Sequence, residues 1–158
     1  RKIFEWILFK ANNESKKDYS SILFNGAFCG LAALIAFILP AIFAGTPIEF
    51  NALKTTVAGE LLPLCRTFAF TTLVLSELFM AYVLKCGNKS LFKTKLFDNK
   101  LLNYSVIFGA TLQILFVSIP ALANILGLIS LSLINWLIII ACAFIPVLAS
   151  QIKFFLKK

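Results

Sequence analysis

The sequence predicts an all-α integral membrane protein: a bundle of four transmembrane helices with an interfacial N-terminal segment. Three observations carry that prediction. First, 60% of the 158 residues are hydrophobic, mean hydropathy is +0.92 and only 14% are charged, whereas a soluble domain carries about 25% charge. Second, Phe, Leu and Ile come in unbroken blocks with no ten-residue runs of alternating polar and apolar residues. That excludes a transmembrane β-barrel and leaves helices, which close their own backbone hydrogen bonds in lipid. Third, thirteen of the fifteen Lys and Arg fall in the patches 1–17, 85–100 and 153–158, and only Lys54 and Arg66 lie elsewhere. Basic loops gathered on one side of a membrane are the positive-inside pattern. It accounts for the net charge of +8 without nucleic acid as a partner. The partner it implies is the bilayer.

The elements follow in order. Residues 1–21 read as a cytoplasmic juxtamembrane segment. Ile3, Phe4, Ile7 and Leu8 share helical spacing beside Trp6 and Lys10, as in a turn of helix lying at the interface. The polar run ANNESKKDYSS is expected to break that pattern. Residues 22–158 then form the four-helix transmembrane domain. The first span, 22–43, has no charge between Asp18 and Glu49. Gly26 and Gly30 make a GxxxG step within a stripe of alanines, and this predicts close approach of a neighbouring helix. Pro40 is placed to end or bend it. Residues 45–65 carry Glu49, Lys54 and Glu60 and read as a loop with a short amphipathic segment.

The second span, 67–84, is the eighteen residues between Arg66 and Lys85, just enough to cross as a helix. A lysine-rich link follows. Residues 101–152 contain no charge. As one helix they would extend about 78 Å, over twice the hydrocarbon thickness, so the chain turns back, at Pro120, Asn124 and Gly127. The third and fourth spans are 102–119 and 131–154, with a kink expected at Pro146. Four spans place both termini, and all three basic patches, on the cytoplasmic side.

Candidate chemistry is sparse. With no histidine, His-based catalysis and most zinc geometries are excluded. Cys29, Cys65, Cys86 and Cys142 show no CxxC spacing and read as buried small hydrophobes. No catalytic residue, cofactor-binding motif or glycine-rich nucleotide cradle is present. The conspicuous residue is Glu77, near the middle of the second span. An ionised carboxylate at that depth costs roughly 3 kcal/mol on insertion scales and faces a bundle interior, a cation or a proton path.

Three readings of Glu77 stay open on spacing alone. It is a hard-oxygen cation ligand, a proton-relay acid, or a protonated structural carboxyl bonded across a helix interface. As a metal ligand it needs help, since Ca²⁺ takes about six to eight oxygens. Thr72, Ser76 and Gln113 are the only candidate helpers within this chain, so any cation site borrows ligands from helices outside it. For Gln113 itself, interhelical hydrogen bonding is the default. Tyr104 and Trp136, near expected interfaces, need only the aromatic belt.

At RTFAFTTLVLSELF the sequence resembles the eighth transmembrane helix of type II P-type cation-transporting ATPases, in the calcium-pump branch. The resemblance continues through NKSLFKTKLFDNKLLNYSVIFGATLQILFVSIPALANIL, like the ninth helix and its preceding link. It ends with ISLSLINWLIIIACAFIPVLASQIKFFLKK, like the tenth. Residues 66–158 carry it. It implies that the four spans correspond to helices seven to ten and that Glu77 contributes oxygen to an intramembrane cation site. The Gly26–Gly30 step would meet a fifth helix lying outside this chain. Three positions after Glu77 stands Met80, where these pumps often carry asparagine.

The resemblance further implies Ca²⁺ or another cation as the transported ion. ATP and Mg²⁺ belong to catalytic domains absent here, so this chain alone has no enzymatic activity. Its partners would be the upstream transmembrane helices and catalytic domains of the same pump, and its location the plasma membrane. Met80 is the sole methionine, and the chain is expected to be a piece of a longer polypeptide. The alternative is a free-standing four-helix membrane protein, a small channel or an accessory subunit. Coding sequence upstream of Arg1 that holds further helices and an Asp-Lys-Thr-Gly site would decide between them.

Overall fold

The computed structural model describes residues 2–45, 51–52, 54–55, 59, 61–86, 91 and 95–156. Helix α1 runs from Lys2 to Phe43 without interruption, through the polar run where a break was expected. Neither Gly nor Pro occurs before Gly26, and Ala, Glu, Lys, Asn and Ser all continue a helix at little cost. Losing the apolar face removes the reason to stay in lipid, but not the backbone ladder. At 42 residues α1 is about 63 Å long, so only part of it can lie across a bilayer. Pro40 sits inside the helix, which ends three residues later in a turn where Gly45 takes φ +80°. Of the expected loop and amphipathic segment at 45–65, residues 46–50, 53, 56–58 and 60 lie outside the described ones, and 62–65 already belong to the next helix, which starts five residues before the expected span.

Helix α2 spans Leu62–Cys86. A 3₁₀ turn at Leu96–Asp98 leads to α3, Lys100–Ser118, whose Asn99 cap accepts from the Leu102 N–H at 3.2 Å. The expected reversal contains a short helix of its own, α4, Pro120–Leu126. Pro120 starts it, its missing N–H being one a helix start leaves unpaired anyway. Gly127 ends it at φ 64°, in the left-handed region that glycine enters without strain. Ser132 caps α5, Leu133–Ala143, and α6 follows at Ile145–Leu156. Four stretches are long and apolar enough to cross a membrane: Tyr19–Phe43, Leu62–Cys86, Lys100–Ser118 and Leu133–Lys153. The last is α5 and α6 together. They part at Phe144 because Pro146 has no N–H for the Cys142 carbonyl. The Phe144 N–H is shared between Ile140 O and Ala141 O at 3.2 and 3.3 Å.

Helix α2 is the axle of the bundle, packed by α1, α3, α5 and α6. Phe68 and Leu75 meet Ala36 of α1 and Ile139, Cys142 and Ala143 of α5 in one cluster. Met80 and Val83 meet Cys29 and Val147 in a second. The α1 stripe that packs here is Cys29, Ala32, Ala36 and Pro40, at spacings of three and four and all buried. Lipid removes most of the hydrophobic drive between helices, so small side chains that let backbones approach are what favour this contact.

The Gly26–Gly30 step lies off that stripe. A Cβ built on either glycine meets nothing within 4 Å. The close glycine contact is instead at Gly109 of α3, where a Cβ would stand 2.9 Å from Leu78 Cδ2. Trp136 also does more than sit in a belt: partly buried, it packs against the Phe68 cluster and against Val117, Ala123 and Leu128.

Two ends are thereby defined. At one, the Thr67 hydroxyl of α2 accepts the Ile129 N–H at 3.0 Å and donates to Pro63 O at 2.7 Å, pinning the α4–α5 turn. At the other, two bonds hold described residues of the α2–α3 link and a third joins the two helices beside it. Gln151 of α6 accepts the Leu91 N–H at 3.3 Å, Lys85 Nζ donates to Lys95 O at 3.1 Å, and the Tyr82 hydroxyl donates to Asn103 of α3 at 3.1 Å. Beneath the link lies an apolar cavity of about 130 Å³ lined by Phe79, Tyr82, Leu91, Phe97, Phe144 and Val147. Lys153 Nζ rests 3.9 Å over the Phe24 ring, tying α6 to α1 at this same end.

Candidate cation site on the second helix

The two faces of α2 differ in polarity and in company. Its buried face carries four fully enclosed hydroxyls, Thr67, Thr71, Thr72 and Ser76. The amide of Gln113, itself 3% exposed, donates to Thr71 Oγ1 at 3.0 Å. That is interhelical hydrogen bonding, the default role for such an amide in a membrane helix. Ser76 donates to the Leu73 carbonyl of its own helix at 2.8 Å. Thr72 Oγ1 alone has no partner.

The opposite face is open. Arg66, Phe70, Leu73, Glu77 and Leu84 are all exposed, and their spacings of four, three, four and seven put them on one side of the helix. Glu77 is therefore not enclosed by this chain. It stands at the middle of an uncovered stripe that is apolar but for Arg66, and it makes no hydrogen bond or ion pair among the described residues. The three candidate helpers are not gathered round it. Ser76 and Thr72 point into the bundle and Gln113 is engaged by Thr71. Among the described residues no group of three or more His, Cys, Asp or Glu could hold a metal ion. The arrangement offers one carboxylate, two oxygens, facing outward, while a calcium site needs about six to eight. The four cysteines are free and buried.

Several contacts were beyond the reach of spacing. Thr71 as the partner of Gln113 could not be told from Thr72, one residue on. Tyr82–Asn103 and Gln151–Leu91 join residues far apart in sequence. Gln151 did carry a signal, as the last uncharged polar side chain before the terminal lysines. So did the stripe position of Arg66, since Arg66, Phe70, Leu73 and Glu77 can be read off a helical wheel.

Four apolar helices round a polar-lined axle, with one charged stripe left bare, define an integral membrane protein of the helical-bundle class. The sequence profile described as "Cation transporting ATPase, C-terminus" matches residues 11–156, and the chain belongs to that family. The match reaches well upstream of Arg66, so α1 is part of the same family unit, although its residues show the resemblance only as a pattern. The chain is also similar to a Bacillus cereus protein, "Calcium-transporting ATPase 1", with 35% identity over 138 residues. That covers 87% of this chain and 16% of the relative; the chain thus spans about one-sixth of that protein's length. No solved structure matches significantly.

Proposed function

We propose that this chain is the C-terminal membrane part of an ATP-driven calcium pump and that Glu77 supplies one carboxylate to its intramembrane cation site. The observation that carries the reading is Glu77 itself, an unpartnered acid at mid-span on the one face of α2 that the chain leaves bare. A carboxylate in lipid is expensive, whereas one that faces the ligands of neighbouring helices is useful. The ligand count agrees: Thr72, Ser76 and Gln113 are turned away, so the remaining oxygens come from upstream helices of the same pump. ATP and Mg²⁺ act in its catalytic domains, outside this chain. Calcium as the ion is supported by the name of the Bacillus cereus relative, a calcium-transporting ATPase. Lys85, Lys95 and Lys153 lie at one end of the bundle, which supports a cytoplasmic location for both termini; the plasma membrane is the setting we propose.

The test is Glu77→Gln in the complete pump, followed by calcium-dependent ATP hydrolysis and transport. The swap keeps size and hydrogen bonding but removes the charge. Half-saturating calcium should rise about tenfold or more, since a ligand worth 1.4 kcal/mol accounts for each factor of ten. Unchanged calcium dependence would remove Glu77 from the site.

A further inference from the structure

The charged stripe has a second member with no assigned role. Arg66 lies eleven residues before Glu77 on α2, and eleven residues is close to three full turns, so both side chains leave the helix in nearly the same direction. The axial separation is about 16 Å. Arg66 is exposed, and like Glu77 it makes no hydrogen bond or ion pair among the described residues. Its guanidinium lies at the end of the bundle holding the α4–α5 turn, with Nη1 3.7 Å from where a Cβ on Gly127 would stand. That is the end remote from the lysine-rich link and the C-terminal patch. Between the two charges the stripe is apolar, with only Phe70 and Leu73 exposed.

A cation near Glu77 thus has two approaches that differ in charge. From the link end it never comes closer to Arg66 than the Glu77 site itself. From the α4–α5 end, travelling along the open stripe, it must pass the guanidinium. We propose that Arg66 is an electrostatic barrier on that stripe, which disfavours re-entry of cations from the α4–α5 end and so gives the pathway a direction. The inference rests on the reading of Glu77 as a cation ligand.

Fixed cationic groups exclude cations from other membrane pathways by the same means. At an effective dielectric near 20, a unit charge 16 Å away changes the affinity for a divalent cation about thirtyfold, and at about 8 Å the factor is roughly a thousandfold. The asymmetry between the two approaches is therefore the signature, and a merely structural arginine would not produce it.

The experiment uses the complete pump reconstituted in sealed vesicles, with calcium varied separately on the two sides. In Arg66→Gln, inhibition of turnover by calcium on the release side should set in at concentrations about a hundredfold lower or more. Half-saturation from the uptake side should move by about thirtyfold or less. Arg66→Lys, which keeps the charge, should restore the wild-type ratio, and raising ionic strength should shift release-side inhibition in wild type more than in Arg66→Gln. An equal shift on both sides, no shift, or a change that Arg66→Lys fails to restore overturns the barrier. Should Arg66→Gln not assemble, the lysine variant and the salt dependence of the wild type decide the matter. Glu77→Gln measured in parallel keeps the two ideas apart. If it leaves uptake-side affinity unchanged, the ligand reading fails. If affinity drops while Arg66→Gln shows no asymmetry, the barrier alone fails.

Discussion

One helix, α2, presents two faces that solve opposite problems. On its inner side four hydroxyls are enclosed and three of them are engaged: Thr67 with Ile129, Thr71 with Gln113 and Ser76 with Leu73. On its outer side two full charges, Arg66 and Glu77, have no partner among the described residues. Within a single membrane helix the modest polar groups are thus satisfied internally, while the costly ones are turned where this chain supplies nothing. Buried polar groups left unpaired cost about 1–3 kcal/mol each and charges more. The difference teaches that the bundle is finished on one side and unfinished on the other. The Gly26–Gly30 step on α1 is likewise bare, with nothing of this chain within 4 Å of a Cβ at either glycine.

That comparison can be broken most directly at Gly26. Gly26→Leu has room within this chain, since nothing stands within 4 Å of the position, and it replaces the poorer helix former. The thermal midpoint of the 158-residue chain in detergent should hold or rise. In the complete pump the same change should reduce assembled, active enzyme by tenfold or more, read by size-exclusion yield and turnover. Normal assembly would mean that lipid, not a helix, covers this face.

A smaller effect sharpens the inner side. Gln113→Leu removes the donor to Thr71 and should lower the stability of the bundle by about 0.6–1.7 kcal/mol, the range found for interhelical bonds in membrane proteins. A double-mutant cycle with Thr71→Val measures the coupling, and additive losses would show that the 3.0 Å contact contributes nothing. The smallest effect has the opposite sign. Thr72 Oγ1 is enclosed and unpartnered, so Thr72→Val should stabilise the bundle by up to about 1 kcal/mol, seen as a higher unfolding midpoint. A loss instead would reveal a partner for the hydroxyl, such as an ordered water.

Much of this molecule was legible in advance, for reasons particular residues make plain. Lys85, Lys100 and the uncharged stretch from 101 to 152 mark where chain can enter lipid, because the cost of a charge there is large and local. Pro120 and Gly127 mark the reversal because each forbids or favours one backbone conformation regardless of context. Pro146 interrupts the last helix through a missing N–H. By contrast, the polar run at 11–21 misled, since polarity governs burial and not helicity. The GxxxG step at Gly26–Gly30 predicted a close helix contact, but α1 packs within this chain on Cys29, Ala32 and Ala36 instead. Nothing local to Glu77 said whether its own bundle would enclose it.

By itself, then, sequence determined the class, the number of crossings and the suspicion that fell on Glu77, because insertion energetics depend on each segment taken alone. Only tertiary structure decided which side of α2 is inside, that Gln113 bonds Thr71, and that the stripe shared by Arg66 and Glu77 is left bare. Those outcomes depend on the rotation of one helix against its neighbours. Packing among side chains distant along the chain sets that angle, and no stretch of sequence carries it alone.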